Sequence, residues 1–170
     1  WTSNKLKSST QVRTEIVWAV LTYNDESSDN SGWSLFQQGT IADSGGVKSF
    51  WMPSINIDDN GFMSILFSGS SNSHPPSLYF TRKRLSDSSF PEPIKITSGI
   101  GGVSTTRWGD YFSLVSADPN TVVGIGTVSS QSSFETSVYT HKLTFPGIFM
   151  EIQSSDNASE IDIELTFTKQ

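Results

Sequence analysis

The sequence predicts an all-β protein, and three observations support that prediction. The chain has 31 Ser and 16 Thr but only 4 Ala among its 170 residues. Because Ser and Thr side chains compete for backbone hydrogen bonds and Ala is the best helix former, this ratio disfavours helices. The other two observations are short segments of alternating polarity and the clusters of Asn, Asp, Gly and Pro that separate them. The length fits one domain of ordinary size.

The first predicted strand spans residues 12–23, because apolar and polar side chains alternate along its first half. One face of this strand carries Val12, Thr14, Ile16, Trp18 and Val20, and the opposite face carries Arg13 and Glu15. The polar stretch 24–32 predicts a loop or a long hairpin turn, because Asn, Asp, Ser and Gly favour turns. Further strands are predicted at 33–40, 54–58, 62–69, 77–84, 94–97, 111–117, 122–129 and 137–145.

A repeat with a spacing of 60 positions is the most informative feature of the sequence. Without a gap it aligns 55–60 with 115–120, Ile65 with Ile125, and 77–79 with 137–139. Each copy predicts a strand, a tight turn, a strand, a loop and a strand. The turns fall at 58–61 and 118–121, where Asp, Asn, Gly and Pro tolerate turn geometry.

Three antiparallel strands plus an outer one, such as 94–97, form a four-stranded meander of the size of one β-propeller blade. We therefore predict a partial propeller over residues 1–147, with blade repeats near 53–97 and 113–145. A β-sandwich is the alternative, although its Greek-key connections do not normally produce an ungapped internal repeat. The two strands within 12–40 resemble the middle of a preceding blade, which gives about two and a half blades in total.

An arc of this size leaves two apolar blade faces uncovered, because a propeller closes with about four to eight blades. We expect the remaining blades to come from another chain, from a missing segment, or from association of several copies of this chain. The favoured interpretation is a cleaved or truncated product of a larger secreted protein. Trp1 in place of an initiator Met agrees with that interpretation.

After Pro146 and Gly147 the pattern changes, and residues 148–170 predict a C-terminal β-hairpin. Its strands are expected at 148–153 and 160–168, and the second alternates between an apolar and an acidic face. We interpret the hairpin as the outer edge of a blade, whose charges discourage edge-to-edge aggregation. The alternative is the start of a further module, or an element that docks on a partner.

Three segments and a dipeptide carry a family resemblance. They are 51–61 (Trp-Met-Pro-Ser-Ile-Asn-Ile-Asp-Asp-Asn-Gly), 76–82 (Pro-Ser-Leu-Tyr-Phe-Thr-Arg), 107–113 (Arg-Trp-Gly-Asp-Tyr-Phe-Ser) and Asp118-Pro119. Together they resemble the six-bladed, sialidase-like β-propellers of secreted and surface proteins, over about residues 33–145. The resemblance implies the C-terminal part of a propeller and an extracellular setting, whereas the activity of proteins with this fold varies.

The strongest candidate site lies at the entrance to the innermost strand of the last predicted blade. It consists of Arg107, Trp108, Asp110 and Tyr111. The Arg and Asp charges can neutralise each other, and the Trp ring can cover both through a cation–π contact. The cluster is interpreted either as an ion pair that ties neighbouring blades together or as a ligand site at the channel mouth. Trp33 and Trp51 are further candidate binding residues, because aromatic rings give large contact areas.

A sialidase needs more than a propeller: it needs three arginines for the substrate carboxylate, a Tyr nucleophile assisted by Glu, and an acid/base Asp. The chain has four arginines in all, which are Arg13, Arg82, Arg84 and Arg107. Arg82 and Arg84 share one strand face, but we expect that face to be solvated and away from the axis. The Ser-x-Asp-x-Gly-x-x-Trp pattern of the family is absent. We therefore predict no catalytic residue and no cofactor, and we lean against an enzyme.

No metal site is predicted either. His74 and His141 are 67 positions apart and have no acidic neighbour in sequence, and the chain has no Cys. Oxygen atoms of 58–60 offer a calcium site, but their spacing matches no known calcium loop and a turn role is preferred. Asn157 opens an Asn-Ala-Ser sequon in a predicted turn, which makes it a candidate glycosylation site and supports secretion.

Charge and hydropathy exclude two classes of partner. The net charge of −6 disfavours non-specific binding to nucleic acids. No apolar run approaches the roughly 20 residues that span a bilayer, so we expect no membrane insertion. The leading hypothesis is a non-enzymatic propeller segment for extracellular binding, adhesion or surface structure, with a glycan or a surface protein as partner. The alternative is a sialidase-like glycoside hydrolase or lyase whose missing catalytic residues lie on an absent portion of the chain.

Overall fold

The computed structural model describes residues 2–8, 11–25, 32–101, 112–118, 121–129, 136–144, 150–155 and 161–165. Within these residues the regular structure consists of β-strands and turns, which confirms the all-β prediction. The strands form three antiparallel sheets, which we name sheets A, B and C in chain order.

Each sheet is an up-and-down meander in which strands adjacent in sequence pair with each other. Sheet A contains β1 (Thr2–Ser8), β2 (Gln11–Tyr23) and β3 (Trp33–Ile41). Sheet B contains β4 (Ser49–Ile57), β5 (Phe62–Ser71), β6 (His74–Arg84) and β7 (Ile94–Thr97). Sheet C contains β8 (Ser113–Asp118), β9 (Thr121–Ser129), β10 (Thr136–Thr144), β11 (Met150–Ser155) and β12 (Ile161–Leu165). The C-terminal hairpin therefore extends sheet C along β10.

The sequence prediction omits two strand segments. β1 is polar in sequence, with Leu6 as its one large apolar residue, and it forms by pairing with β2. β4 begins at Ser49, five residues before the predicted start at residue 54. The sequence pattern gives no strand there because Pro within a strand is unfavourable, and Pro53 lies in this segment. A β-bulge accommodates Pro53 in β4, and Met52 within this bulge adopts a positive φ of 54°.

Sheet B is the middle layer and is covered on both faces. Along β5, Ile65 belongs to the core shared with sheet A, whereas Leu66 belongs to the core shared with sheet C. The same alternation holds on β6, where Tyr79 faces sheet A and Phe80 faces sheet C. All residues from 63 to 69 are consequently buried.

The core between sheets A and B is rich in aromatic rings. Its buried members are Ile16, Trp18 and Ile41 from sheet A and Phe50, Met63, Ile65, Phe67 and Tyr79 from sheet B. The centroid of the Phe50 ring lies 4.9 Å from that of Phe67 and 5.4 Å from that of Tyr79. Burying a large apolar side chain contributes roughly 1.5–3 kcal/mol, so this cluster is a principal reason why sheets A and B pack together.

The core between sheets B and C is mainly aliphatic and is packed closely through two glycines. Its buried members are Leu66, Leu78, Phe80, Ile96, Leu114, Val122 and Val128. A Cβ atom on Gly126 of β9 would lie 2.4 Å from Leu78 Cδ1, and one on Gly124 would lie 2.8 Å from Leu66 Cδ2. The absence of side chains at these two positions therefore allows the sheets to approach each other.

The strands recur as the repeat predicts, but their side-chain faces do not. β4, β5 and β6 recur as β8, β9 and β10 in the same order. The ungapped alignment places Ile65 on Ile125, yet Ile65 is buried towards sheet A whereas Ile125 is 41% exposed. A shift of one residue moves every side chain of a strand to the other face. Residues that face the preceding sheet in sheets B and C are therefore separated by an odd number of positions. The side-chain equivalences predicted by the ungapped alignment are wrong.

Backbone contacts between the sheets involve the first two strands of sheets A and C and the first three strands of sheet B. β1 and β2 contact β4, and β4, β5 and β6 contact β8 and β9. The loop 85–93 joins β6 to sheet A. In this loop Phe90 packs edge-on against Trp18 with ring centroids 5.3 Å apart, and the Pro91 carbonyl accepts a 3.0 Å hydrogen bond from Thr81 Oγ1.

Asp43 organises the connection between sheets A and B. Its side chain is only 3% exposed, and its Oδ1 accepts a 2.7 Å hydrogen bond from Lys48 Nζ. Oδ2 accepts backbone hydrogen bonds from Val47 at 2.7 Å and Lys48 at 3.0 Å. Burial by itself raises the pKa of Asp43, but these hydrogen bonds and the Lys48 charge outweigh it and lower the pKa to about 2.

The close packing of β9 against sheet B gives the first prediction. Gly126→Ala places a methyl group against Leu78 and should lower the free energy of unfolding by about 1–3 kcal/mol, measured by urea denaturation. Gly45→Ala is the matched control, because its added Cβ meets Asp43 Oδ2 at an ordinary 3.5 Å. Equal stability of the two variants would contradict the packing of sheet C on sheet B.

Asp43 should make the stability of the chain depend on pH. A carboxyl group whose pKa falls from 3.8 to about 2 on folding stabilises the folded state above pH 3.8, and this contribution is lost as the pH falls towards 2. Asp43→Asn should therefore reduce the free energy of unfolding by about 2 kcal/mol at neutral pH, and the reduction should shrink in acid. Urea denaturation from pH 7 to pH 2 measures both effects. Asp59→Asn, at an exposed turn position, is the control, and a loss in Asp43→Asn that is independent of pH would contradict the assignment.

Candidate functional site

Most of the predicted site residues lie outside the described residues. These are Arg107, Trp108, Asp110 and Tyr111, together with the candidate glycosylation site Asn157. The ligand site, the ion pair between blades and the glycosylation therefore stay predictions. Trp33 and Trp51 are described, and the structure places them on different sheets.

Trp51 is a half-buried residue of β4, next to the bulge at Pro53. It pairs in register with Ser68 of β5. Its neighbour Phe50 points into the core between sheets A and B, so the Trp51 side chain lies on the opposite face of the strand. Trp51 therefore does not combine with Trp33 into one site.

Trp33 belongs to an exposed apolar surface at the end of the β2–β3 hairpin. We define the hairpin surface as Leu21, Tyr23, Trp33 and Leu35, whose exposed fractions are 55%, 52%, 64% and 54%. The register pairs Leu21 with Leu35 and Tyr23 with Trp33, so all four side chains share one face of the hairpin. This face is opposite to the one that β2 buries against sheet B.

Local contacts hold the end of the hairpin in place. The Tyr23 and Trp33 ring centroids are 5.0 Å apart, and the ring planes are inclined by 49°. The backbone N–H of Asn24 donates a 2.8 Å hydrogen bond to the Gly32 carbonyl. A Cβ atom at Gly32 would lie 2.3 Å from the Asn24 carbonyl oxygen and 2.9 Å from the Tyr23 ring, so this position requires Gly. The resulting pair of rings presents a large contact area to a sugar ring or an apolar side chain.

Sequence reasoning identified Trp33 but missed the other three members of the hairpin surface. A signal was present, because β2 is apolar on both of its faces from residue 16 onward. Ile16, Trp18 and Val20 form the face that packs on sheet B. Leu21 and Tyr23 fall on the other face, which no sheet in the described part of the chain covers.

Lys83 is a buried cation between sheets A and B, with only 3% of the residue exposed. Its Nζ donates hydrogen bonds to Gln37 Oε1 at 2.6 Å and to the Asp87 carbonyl at 2.7 Å. The same atom lies 4.7 Å from the centroid of the Trp18 ring and 5.5 Å from that of Phe90. Desolvation lowers the pKa of Lys83, and the charge of Asp87 partly offsets this effect. Because the ammonium group is enclosed, it joins β3, β6 and the loop 85–93, and it offers no accessible amine.

The sequence predicts that Arg82 and Arg84 share a solvated face, and for Arg82 this prediction is wrong. Its side chain is 11% exposed and forms an ion pair with Asp58, whose side chain is 2% exposed. Asp58 Oδ1 also accepts backbone hydrogen bonds from Asn60 at 3.0 Å and Phe62 at 2.9 Å. The expectation fails for Arg82 because a buried carboxylate requires a paired charge. The pair ties the β4–β5 turn to β6, which is the turn role predicted for 58–61.

Two small cavities border sheets A and B. One of about 140 Å³ is lined by Trp18, by residues 39–42 and by residues 88–93. The other, of about 130 Å³, is lined by residues 16–19 of β2 together with Pro53, Ile55 and Ile65. In the described ranges no three His, Cys, Asp or Glu side chains are grouped as a metal site requires.

Comparison with known proteins adds no assignment: no family profile matches the chain, and neither does any curated protein or solved structure. In the part of the chain that the structure describes, no helix has the length and apolar character needed to cross a membrane. The function must therefore be inferred from the residues of the chain itself.

Proposed function

We propose that the chain is a non-enzymatic binding segment of a sialidase-like propeller in a secreted or surface protein. The contact site in this proposal is the hairpin surface. One observation carries it: four large apolar side chains, each more than half exposed, lie on one face of a single hairpin. Contiguous exposed apolar patches mark interaction sites in soluble proteins.

The order and packing of the sheets support the propeller part of the proposal. A propeller blade is a four-stranded antiparallel meander that packs face to face on the next blade. Sheet B has four strands, and the sheets on its two faces come from the preceding and the following sequence. The first strand of sheet B, β4, contacts both sheet A and sheet C, as expected for the innermost strand of a blade. The family resemblance of 51–61, 76–82 and 107–113 points the same way.

The outer face of sheet C supports a larger assembly. Val115 and Ile125 are 51% and 41% exposed there, on the face that points away from sheet B. In a propeller this face is where the next blade packs. That blade would come from another chain, from a further segment of the same polypeptide, or from a second copy of this chain.

The described residues supply binding groups in preference to reacting groups. Arg82 is committed to Asp58, and Lys83 is enclosed between two sheets. The Tyr23–Trp33 pair is accessible and already ordered by its own hairpin. Aromatic rings in this state stack on sugar rings and on apolar side chains at low conformational cost, so the ligand class is a glycan or an apolar protein surface.

Replacing the two rings of the hairpin surface tests the proposal. The double variant Tyr23→Ser, Trp33→Ser should weaken ligand binding about 30-fold or more, since a single aromatic anchor contributes about 2 kcal/mol or more. Glycan arrays and pull-downs from the native source measure the binding. The free energy of unfolding should change by no more than about 0.5 kcal/mol per exposed site.

The control is the double variant Val47→Ser, Ile100→Ser, which removes two exposed apolar side chains elsewhere on the chain. It should bind as the unmodified protein does. Equal binding by both double variants would show that the hairpin surface is not the contact site. Hydrolysis of fluorogenic glycosides that Asp110→Asn abolishes, with silence in both binding assays, would replace the proposal by a glycoside hydrolase.

A further inference from the structure

The turn between β4 and β5 requires Gly at position 61. The backbone N–H of Gly61 donates a 2.9 Å hydrogen bond to the Asp58 carbonyl, and Gly61 itself adopts a positive φ of 74°. A hydrogen bond across four residues, with a positive φ at the last of them, is the arrangement of a common three-residue hairpin loop. A side chain is strained at such a φ, so the fold selects Gly here.

Gly61 in turn makes Asn60 chemically labile. Asparagine is a thermolabile residue, because the amide nitrogen of the following residue can attack its side-chain Cγ atom. A side chain on the following residue hinders this attack, and Gly has none. Asn60 is the one asparagine among the eight of the sequence that precedes Gly. It is also exposed, so water reaches it.

The folded turn opposes the attack. The attacking nitrogen of Gly61 holds its proton in the hydrogen bond to the Asp58 carbonyl. The backbone N–H groups of Asn60 and Phe62 donate to Asp58 Oδ1 at 3.0 Å and 2.9 Å, which fixes the backbone on both sides of that nitrogen. Loss of the amide proton would also place an anion beside the Asp58 carboxylate, and like charges disfavour this state. The reaction therefore needs an open turn.

Contacts with β6 keep the turn closed. The Asp58 side chain is 2% exposed and forms an ion pair with Arg82. The guanidinium carbon of Arg82 lies 4.2 Å from the centroid of the Phe62 ring, so a second residue of the hairpin holds the same cation. The Leu85 backbone N–H, just after β6, donates a 2.8 Å hydrogen bond to the Gly61 carbonyl. Opening the turn therefore means releasing it from β6.

We propose that Asn60 is a site of spontaneous deamidation whose rate is set by opening of this turn. In the open turn the Gly61 nitrogen loses its proton to solvent and bonds to Asn60 Cγ. The bond between Cγ and Nδ2 then breaks, and the Nδ2 group takes up a proton and leaves as ammonia. The product is a five-membered succinimide. Water opens this ring at either of its two carbonyls and yields aspartate or isoaspartate.

The isoaspartate product is incompatible with the loop that protected Asn60. It carries the main chain through the side-chain methylene, so the loop gains one backbone atom and loses the spacing that a three-residue hairpin loop requires. The new carboxylate also adds a negative charge beside Asp58 and Asp59. We expect the modified turn to stay detached from β6, so the modification accumulates with the age of the chain.

The first test compares the folded chain with the same intact chain unfolded in guanidinium chloride, at equal pH and temperature. Peptide mass mapping measures the conversion of each asparagine to an acid. In the unfolded chain Asn60 should convert faster than the other seven asparagines. In the folded chain its conversion should be about tenfold or more slower, since only the open fraction reacts.

A pair of variants provides the second arm. Arg82→Gln removes the cation that pairs with Asp58, and it should speed conversion of Asn60 in the folded chain about tenfold or more. Arg84→Gln is the matched control, because Arg84 is an exposed arginine of the same strand whose guanidinium carbon lies 5.1 Å from the centroid of the same Phe62 ring. It should leave the rate unchanged. Urea denaturation establishes that both variants are folded under the assay conditions. If Arg82→Gln does not fold, the comparison of the folded and unfolded unmodified chain decides alone.

Three results would overturn the inference. They are conversion of Asn60 as fast in the folded chain as in the unfolded one, another asparagine that converts ahead of Asn60 in the unfolded chain, and equal rates in folded Arg82→Gln and Arg84→Gln. None of these results bears on ligand binding by the hairpin surface, so the proposed function is tested separately.

Discussion

Burial of sheet B on both faces is the constraint on which the rest of the structure depends. Its central strand β5 contributes Ile65 to the core shared with sheet A and Leu66 to the core shared with sheet C. The two cores differ in character, because sheet A supplies the Trp18 ring whereas sheet C supplies aliphatic side chains and glycines. Two of the charged groups drawn into these layers have specific partners: Lys83 donates hydrogen bonds to Gln37 and to the Asp87 carbonyl, and Arg82 forms an ion pair with Asp58.

This arrangement determines which surfaces are left for contacts with other molecules. The inner faces of sheets A and C are used by sheet B, so within the described residues no sheet covers the apolar side chains on the outer faces and at hairpin ends. β2 shows both consequences in one strand. It buries Trp18 on its inner face and exposes Leu21 and Tyr23 on its outer face. Exposed apolar side chains grouped in this way mark interaction sites.

The sequence predicts strands well here because local patterns are strong. Alternation identified β2, and the predicted turn at 58–61 is present, held by hydrogen bonds from the Asn60 and Phe62 backbone to the Asp58 carboxylate. β1 was missed because a polar segment becomes a strand only through its pairing with β2. The face of β9 was misassigned because an ungapped repeat says nothing about an odd shift between sheets. The burial of Arg82 and Lys83 depends on partners that are distant in sequence, Asp58 and Gln37, and no local pattern contains that information.

Native-state hydrogen exchange along β5 tests the central claim most directly, because it reports the free energy of the opening that exposes each backbone amide. If sheets A and C both cover sheet B, the amides of residues 63–69 should exchange only through global unfolding and should be the slowest in the chain. Amides at the end of the β2–β3 hairpin should exchange much faster, through local opening. Exchange of residues 63–69 at the rate of the hairpin end would show that one face of sheet B is uncovered, and it would contradict the account.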